Sequence, residues 1–207
     1  IYFMKKHITF IALSILIIIG FILRIQSLNS PMWFDETISS LAASKIIEKG
    51  SPIFDSGFFY ARAMLFHYIQ AFFQLFSNSD IAARIPSLIF GLLTIILAYF
   101  IGKEYSKQAG IIAAIFTTFL TLEIIYSQQA RFYQMFQFFF FLSILLLYKS
   151  VKAKSNKFIW LSIISLAITL DTHRGGLILM PLFFFVLIKE KRNWKFFIVP
   201  LLLSAYY

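Results

Sequence analysis

The run A-M-L-F-H-Y-I-Q-A-F-F-Q-L-F, Ala63–Phe76, decides how this chain is arranged. It is apolar enough to enter a membrane, but its 14 residues fall short of the roughly 20 needed to cross a typical hydrocarbon core. His67, Gln70 and Gln74 recur at spacings of three and four, so on a helix they make one polar stripe. Two readings follow: a helix lying in the membrane interface, or a crossing that buries the stripe for a functional purpose.

The surrounding sequence favours the first reading. The chain has 207 residues, 60% of them apolar and 14% charged, and its apolar residues come in runs separated by short basic links. That is the pattern of an all-α, polytopic membrane protein. Candidate spans are Thr9–Leu23, Ile81–Ile101, Ala109–Ile125, Phe132–Tyr148, Phe158–Thr169, Leu177–Ile188 and a run from Phe196, about seven in all. If Lys5 and Lys6 are cytoplasmic and Ala63–Phe76 does not cross, the links at 103–107, 149–157 and 189–195 are cytoplasmic too. This places 12 of the 19 Lys and Arg inside and 7 of the 9 acidic residues outside. A crossing by Ala63–Phe76 would put the four-lysine link 149–157 outside, against the charge rule.

Other classes drop out. The net charge of +10 comes from lysines between hydrophobic runs rather than from a polar domain, so no nucleic-acid partner is expected. With no cysteine there is no disulfide framework and no thiolate metal site. The opening I-Y-F-M-K-K-H and its apolar run read as a retained first helix, because no small-residue cleavage site follows. The chain stops inside an apolar run, Leu201–Tyr207, which reads as the N-terminal portion of a longer protein. We therefore expect one transmembrane module over residues 1–207, incomplete at its C-terminus, with a first extracytoplasmic loop at 25–80.

That loop reads N-S-P-M-W-F-D-E-T, then an amphipathic run Thr37–Lys49, then G-S-P and D-S-G-F-F-Y-A-R. Ile38, Leu41, Ala42 and Ile46 have helical spacing, so two interfacial helices are expected. The adjacent acids Asp35 and Glu36 stand at the start of the first. They serve there as an N-cap and a first-turn acid, or one is a general base whose affinity for protons is raised by apolar surroundings. Neighbouring residues do not face one point, so one acid is expected to be chemical and the other structural. Asp35 is the candidate base.

Arg62 and Arg84 lie beside or within apolar runs, where a cation needs an anionic partner, and a guanidinium fork suits phosphate. Snorkelling to headgroups, or pairing with Asp80 or Asp55, accounts for them equally. In Y-S-Q-Q-A-R-F-Y, Gln128 with Arg131 and Tyr126 with Tyr133 share helix faces. Glu123 is an acid inside an apolar run. Asp171, His173 and Arg174 adjoin Gly175-Gly176 at a further outer junction, and Tyr60 and His67 complete the candidate pocket. One histidine among scattered acids is a weak metal signal, so no metal or other cofactor is expected.

W-F-D-E, then A-A-R-I-P-S-L-I-F-G-L-L-T (Ala82–Thr94), Y-S-Q-Q-A-R-F-Y and T-H-R-G-G together resemble membrane glycosyltransferases of the C-type fold. The nearest group is the bacterial relatives of protein O-mannosyltransferases and of the aminoarabinose transferase acting on lipid A. The resemblance implies inverting transfer of a sugar from a polyprenyl-phosphate carrier to a glycan, lipid or protein acceptor. It implies a multi-pass protein of the bacterial inner membrane, with a cytoplasmic N-terminus and an extracytoplasmic site. It puts the loop base on Asp35 and phosphate-side residues on Arg62, Arg84, Arg131 and Tyr133. Relatives often carry a basic residue and two prolines where this chain has R-A-M-L-F-H-Y. Ala61 stands where the aminoarabinose enzyme has a metal-ligating acid, which weakens any metal-held donor.

Two rivals remain. A transporter or lipid flippase predicts mid-membrane polar groups and broken helices, yet Gly110–Leu120 and Phe136–Leu147 carry almost no polar groups suited to that. A non-catalytic packing subunit predicts no convergent site.

Overall fold

A computed structural model describes residues 2–191 together with Phe196, Ile198 and Leu202, with side chains from Ile8 onward. Nine α-helices are described: α1 (Tyr2–Ile25), α2 (Phe34–Lys49), α3 (Met64–Gln74), α4 (Asp80–Lys103), α5 (Lys107–Phe119), α6 (Thr121–Ser127), α7 (Tyr133–Lys152), α8 (Asn156–Thr172) and α9 (Met180–Lys189). A 3-10 segment, Arg174–Leu179, joins the last two. Among the described residues the only extended pairing is one bridge, Ile53 to Phe59.

The chain divides into two compact units, one of residues 1–61 with 66–138, the other of residues 62–65 with the chain from Phe139 on. In the first, α4 and α5 form the closest-packed helix pair, and α1 packs on both. Local chemistry sets their ends. Ser79 and Ser106 stand before α4 and α5, and their hydroxyls accept the N–H groups of Ala82 and Ala109. Leu16, Ile95, Tyr99 and Ala114 make the apolar core between these helices. In the second unit, Leu147, Ile159, Ile163, Leu166, Leu170, Met180, Phe183 and Leu187 form a single apolar core.

The expectation of about seven spans needs correction. Among the described residues three helical stretches are long and apolar enough to cross: Ile8–Ile25, Asp80–Lys103 and Tyr133–Lys152. A fourth appears if α5 and α6, bent by 60°, count as one broken span. The helix α8 has 17 residues and α9 has 10, rises of about 25 and 15 Å against a hydrocarbon core of about 30 Å. The backbone turns extended at His173, which ends α8. Apart from Phe196, Ile198 and Leu202, the run expected from Phe196 lies outside the described residues, as do the side chains of Lys5 and Lys6.

Both helices expected within 25–80 are present. The first, α2, ends at Gly50, whose φ of 74° is in the left-handed region and whose N–H returns to the Ile46 carbonyl. It buries Ser39, Ala42, Ala43 and Ile46 and leaves Leu41 exposed, so its inner face is rotated from the one the apolar spacing suggests. The second, α3, has 11 residues and cannot cross a membrane alone. Its polar stripe does not face water: His67, Gln70 and Gln74 are buried, while Tyr68, Phe72, Leu75 and Phe76 are exposed. Partners explain the inversion. Gln70 donates through Nε2 to the Ala83 carbonyl at 2.9 Å, and Gln74 donates to the Ser40 hydroxyl at 2.6 Å. The helix is too short to cross, as the first reading requires, and its stripe is buried, as the second does.

Candidate functional site

Glu36 and Arg84 form the centre of the first unit. Glu36 Oε1 accepts from Arg84 Nε at 2.9 Å and from the Ala130 N–H at 2.6 Å. Its Oε2 accepts from Arg84 Nη2 at 2.9 Å and from the Trp33 N–H at 3.4 Å, the latter being half of a capping box for α2. The remaining donors of Arg84 go to backbone: Nη1 to the carbonyls of Leu28 (2.8 Å) and Ser30 (2.6 Å), Nη2 to that of Pro31 (3.4 Å). Both side chains are almost wholly buried, at 3% and 2% exposure. A buried charge pair holds only when its other polar atoms are also satisfied, and here every guanidinium donor is used. The pair ties the loop before α2, the start of α4 and the turn before α7 to one point.

The neighbouring acid has a different environment. The Asp35 side chain is 38% exposed, and its Oδ2 lies 3.7 Å from Nη2 of the buried Arg131. Arg131 is held from both ends: Nη1 donates to the Asp35 carbonyl and to the Ser39 hydroxyl, each at 3.0 Å, and the Ser87 hydroxyl donates to the Arg131 carbonyl at 2.8 Å. Its guanidinium lies over the rings of Phe132 and Tyr133, at 4.8 and 5.5 Å from their centroids. Buried Nε of Arg131 has no partner. Asp35 therefore keeps an accessible carboxylate beside a fixed cation, whereas Glu36 has none of its capacity left over.

Around these lie the other candidates of this unit. His67 Nδ1 pairs with Gln70 Oε1 at 3.2 Å; since the Gln70 amide nitrogen is committed to Ala83, the imidazole nitrogen is the donor. The other ring nitrogen, Nε2, is buried without a partner. Burial, with Arg131 as a further cause, lowers the pKa of His67 from 6.5 to about 4, so the ring is neutral. Tyr60 packs its ring edge-on against His67 at 5.3 Å. Glu123, which the sequence places inside an apolar run, is held by the amides of Gln137 (2.5 Å) and Gln134 (3.3 Å). Gln128 donates to the Leu23 carbonyl at 3.1 Å, and Tyr126 packs on Tyr133 at 5.2 Å.

One residue in this unit escaped the sequence reading. Arg24, at the end of α1, is fully buried. It donates through Nε to the Ser127 hydroxyl (3.1 Å), through Nη1 to the carbonyls of Gly20 and Thr118 (both 3.2 Å), and through Nη2 to that of Thr117 (2.8 Å). Thr117 and Thr118 are the last turn of α5 before the bend at Leu120, where helical carbonyls lose their donors. Arg24 replaces those donors. Gly91 of α4 leaves room for this, since a Cβ there would collide with the Ser127 hydroxyl. The signal was available: Arg24 stands at the end of an apolar run, as Arg84 stands near the start of one.

The second unit gathers Arg62, Asp171, His173 and Arg174. The Ala63 N–H donates to the Asp171 carbonyl, and the Leu65 N–H to Asp171 Oδ2, both at 3.1 Å. His173 Nδ1 accepts the Gly175 N–H at 2.9 Å. Burial and the nearby charge of Arg62 lower the basicity of His173. The structure thus groups Asp35, Glu36, Arg84 and Arg131 in one unit and Arg62 with His173 in the other, where Arg174 is the exposed residue next in the chain. Among the described residues no three His, Cys, Asp or Glu side chains come together as a metal would require.

Long apolar helices with charged groups buried among them suit a multi-pass membrane protein. The chain belongs to the dolichyl-phosphate-mannose-protein mannosyltransferase family, whose model matches residues 61–206. It is accordingly a glycosyltransferase of the mannosyltransferase type, a family that works with a lipid-linked sugar donor and a glycan or protein acceptor. No curated protein matches the chain, and no solved structure does. The family match starts after the W-F-D-E loop and does not reach Asp35 or Glu36.

Proposed function

We propose that the protein transfers a sugar, with inversion, from a polyprenyl-phosphate carrier to a hydroxyl on an extracytoplasmic acceptor in the bacterial inner membrane. One observation carries the assignment of chemistry. Of two adjacent carboxylates, Glu36 has its acceptor positions filled by Arg84, Ala130 and Trp33, while Asp35 remains open beside Arg131. Asp35 is the general base: it takes the proton of the acceptor hydroxyl as that oxygen attacks the anomeric carbon and the carrier phosphate departs from the opposite face. Arg131 orients it, and Glu36 with Arg84 fixes the loop that presents it. A phosphate leaving group gains more from cations near its developing charge than from protonation. Taken by itself, the second unit carries Arg62, His173 and Arg174, whose N–H donors suit a phosphate.

The transporter reading predicts a broken helix, and the bend between α5 and α6 is one. The carbonyls released there are taken by Arg24 instead of lining a solvated path, which favours a packed joint over an ion or substrate route. The test of the enzyme reading is transfer of labelled sugar from a lipid carrier by purified protein. Asp35→Asn is expected to lower transfer by ~10²–10⁴-fold while membrane insertion and folding persist; an unimpaired rate excludes the role.

A further inference from the structure

The helix α3 begins without a cap of its own, because Ala63 precedes it and has no side-chain acceptor for the free N–H groups of the first turn. The acceptor comes from 106 positions further along the chain, where Asp171 takes the Leu65 N–H on its carboxylate. The Asp171 carbonyl takes the Ala63 N–H as well, so one residue grips the turn at two points. That turn needs holding: Ala63 is fully buried and has a φ of 51°, a left-handed backbone that an L-residue adopts at a cost. Arg62 is the residue just before it. On the other side of the grip, His173 follows Asp171 by two positions, and the Gly175 N–H donated to Nδ1 leaves Nε2 as the protonated, donating nitrogen.

We infer that Asp171 is a positioning residue: by latching residues 62–65 onto the end of α8 it sets Arg62 beside His173 as paired donors for a phosphate oxygen of a lipid-linked carrier. This rests on the proposed function, from which it takes the lipid-linked phosphate as the ligand. Asp171 itself, an anion, does not touch the phosphate. Its removal frees the turn at Ala63 and lets Arg62 move away from His173 with no change in the number of cations.

The experiment measures binding of a short-chain prenyl phosphate to the full chain in detergent micelles, with the matching prenol and inorganic phosphate as separate probes. Asp171→Ala is expected to weaken prenyl phosphate ~10-fold or more, the scale of a charge-assisted hydrogen bond, and to leave prenol binding unchanged. Arg62→Ala is expected to match it, and the double variant to be no weaker than Arg62→Ala alone, because both act through one contact. Asp171→Asn, which retains an oxygen for the Leu65 N–H, is expected to restore most of the affinity. If Asp171→Ala does not fold, Asp171→Ser, too short to reach Leu65, serves in its place. Additive losses in the double variant, or full affinity in Asp171→Ala, overturn the latch alone. Inorganic phosphate binding as tightly as the prenyl phosphate overturns the lipid-carrier ligand. No binding of prenyl phosphate by the unaltered chain overturns the proposed function, and the latch's purpose with it.

Discussion

Asp35 and Glu36 are neighbours with the same functional group, yet one is consumed by architecture and the other is left open. Glu36 is 2% exposed and takes a bidentate guanidinium at 2.9 Å; Asp35 is 38% exposed and has its guanidinium at 3.7 Å. Successive residues at a helix start point about 100° apart, so only one can turn inward. The difference teaches that charge in an apolar protein is not in itself a site. What distinguishes a chemical carboxylate is capacity left over once the fold has been served.

Substitutions probe that contrast. The largest expected effect is on rate: Asp35→Asn lowers sugar transfer by ~10²–10⁴-fold, the usual share of general base catalysis, without shifting the melting temperature. Glu36→Ala does the reverse first, destabilising the fold by ~3–5 kcal/mol because Arg84 is left buried without its counter-charge. Pairing it with Arg84→Met recovers part of the loss, and chemical denaturation of the two variants checks this. If Glu36→Ala melts like the unaltered protein, the division of labour between the two acids is gone.

A smaller effect comes from His67, whose folded-state pKa of about 4 lies below the unfolded value of 6.5. The unfolded chain then binds the extra proton between these values. Stability is full above pH 6.5 and falls as pH drops towards 4, by on the order of 3 kcal/mol. His67→Gln flattens this slope, which denaturation midpoints across the range would reveal. Ser39→Ala removes one of the bonds that hold Arg131 beside Asp35 and costs ~1 kcal/mol. The smallest effect is at Asp55, an exposed carboxylate 2.9 Å from the exposed Lys49 and 3.1 Å from Lys45, whose buried ammonium also keeps Glu48 at 2.7 Å: Asp55→Asn leaves the midpoint unchanged at physiological salt.

The helical, membrane-type character of the chain is legible because apolar runs and basic links leave no other folded solution. The caps at Ser79 and Ser106 are local, each serine lying three residues before the N–H it accepts. The bend at Leu120 is not: T-F-L-T-L-E contains neither Gly nor Pro, and its stability comes from Arg24, some ninety-odd positions away. The direction in which α3 faces was equally out of reach. A stripe of His67, Gln70 and Gln74 suits water or a polar interior alike, and Ser40 and Ala83 decide between them. Helix geometry says that Asp35 and Glu36 diverge, but the partner each takes depends on residues near 84 and 131.

Arg24 also bears on how the protein is made. Helix α1 leaves the ribosome carrying a cation whose bonding partners, at 117, 118 and 127, have not yet been translated. Because it sits at the helix end, its long side chain can wait among the headgroups until the bent pair is threaded beside it. Biogenesis is therefore expected to be a delayed docking. Nascent chains halted before residue 117 should remain extractable, and those extended past residue 127 should lock into the bilayer.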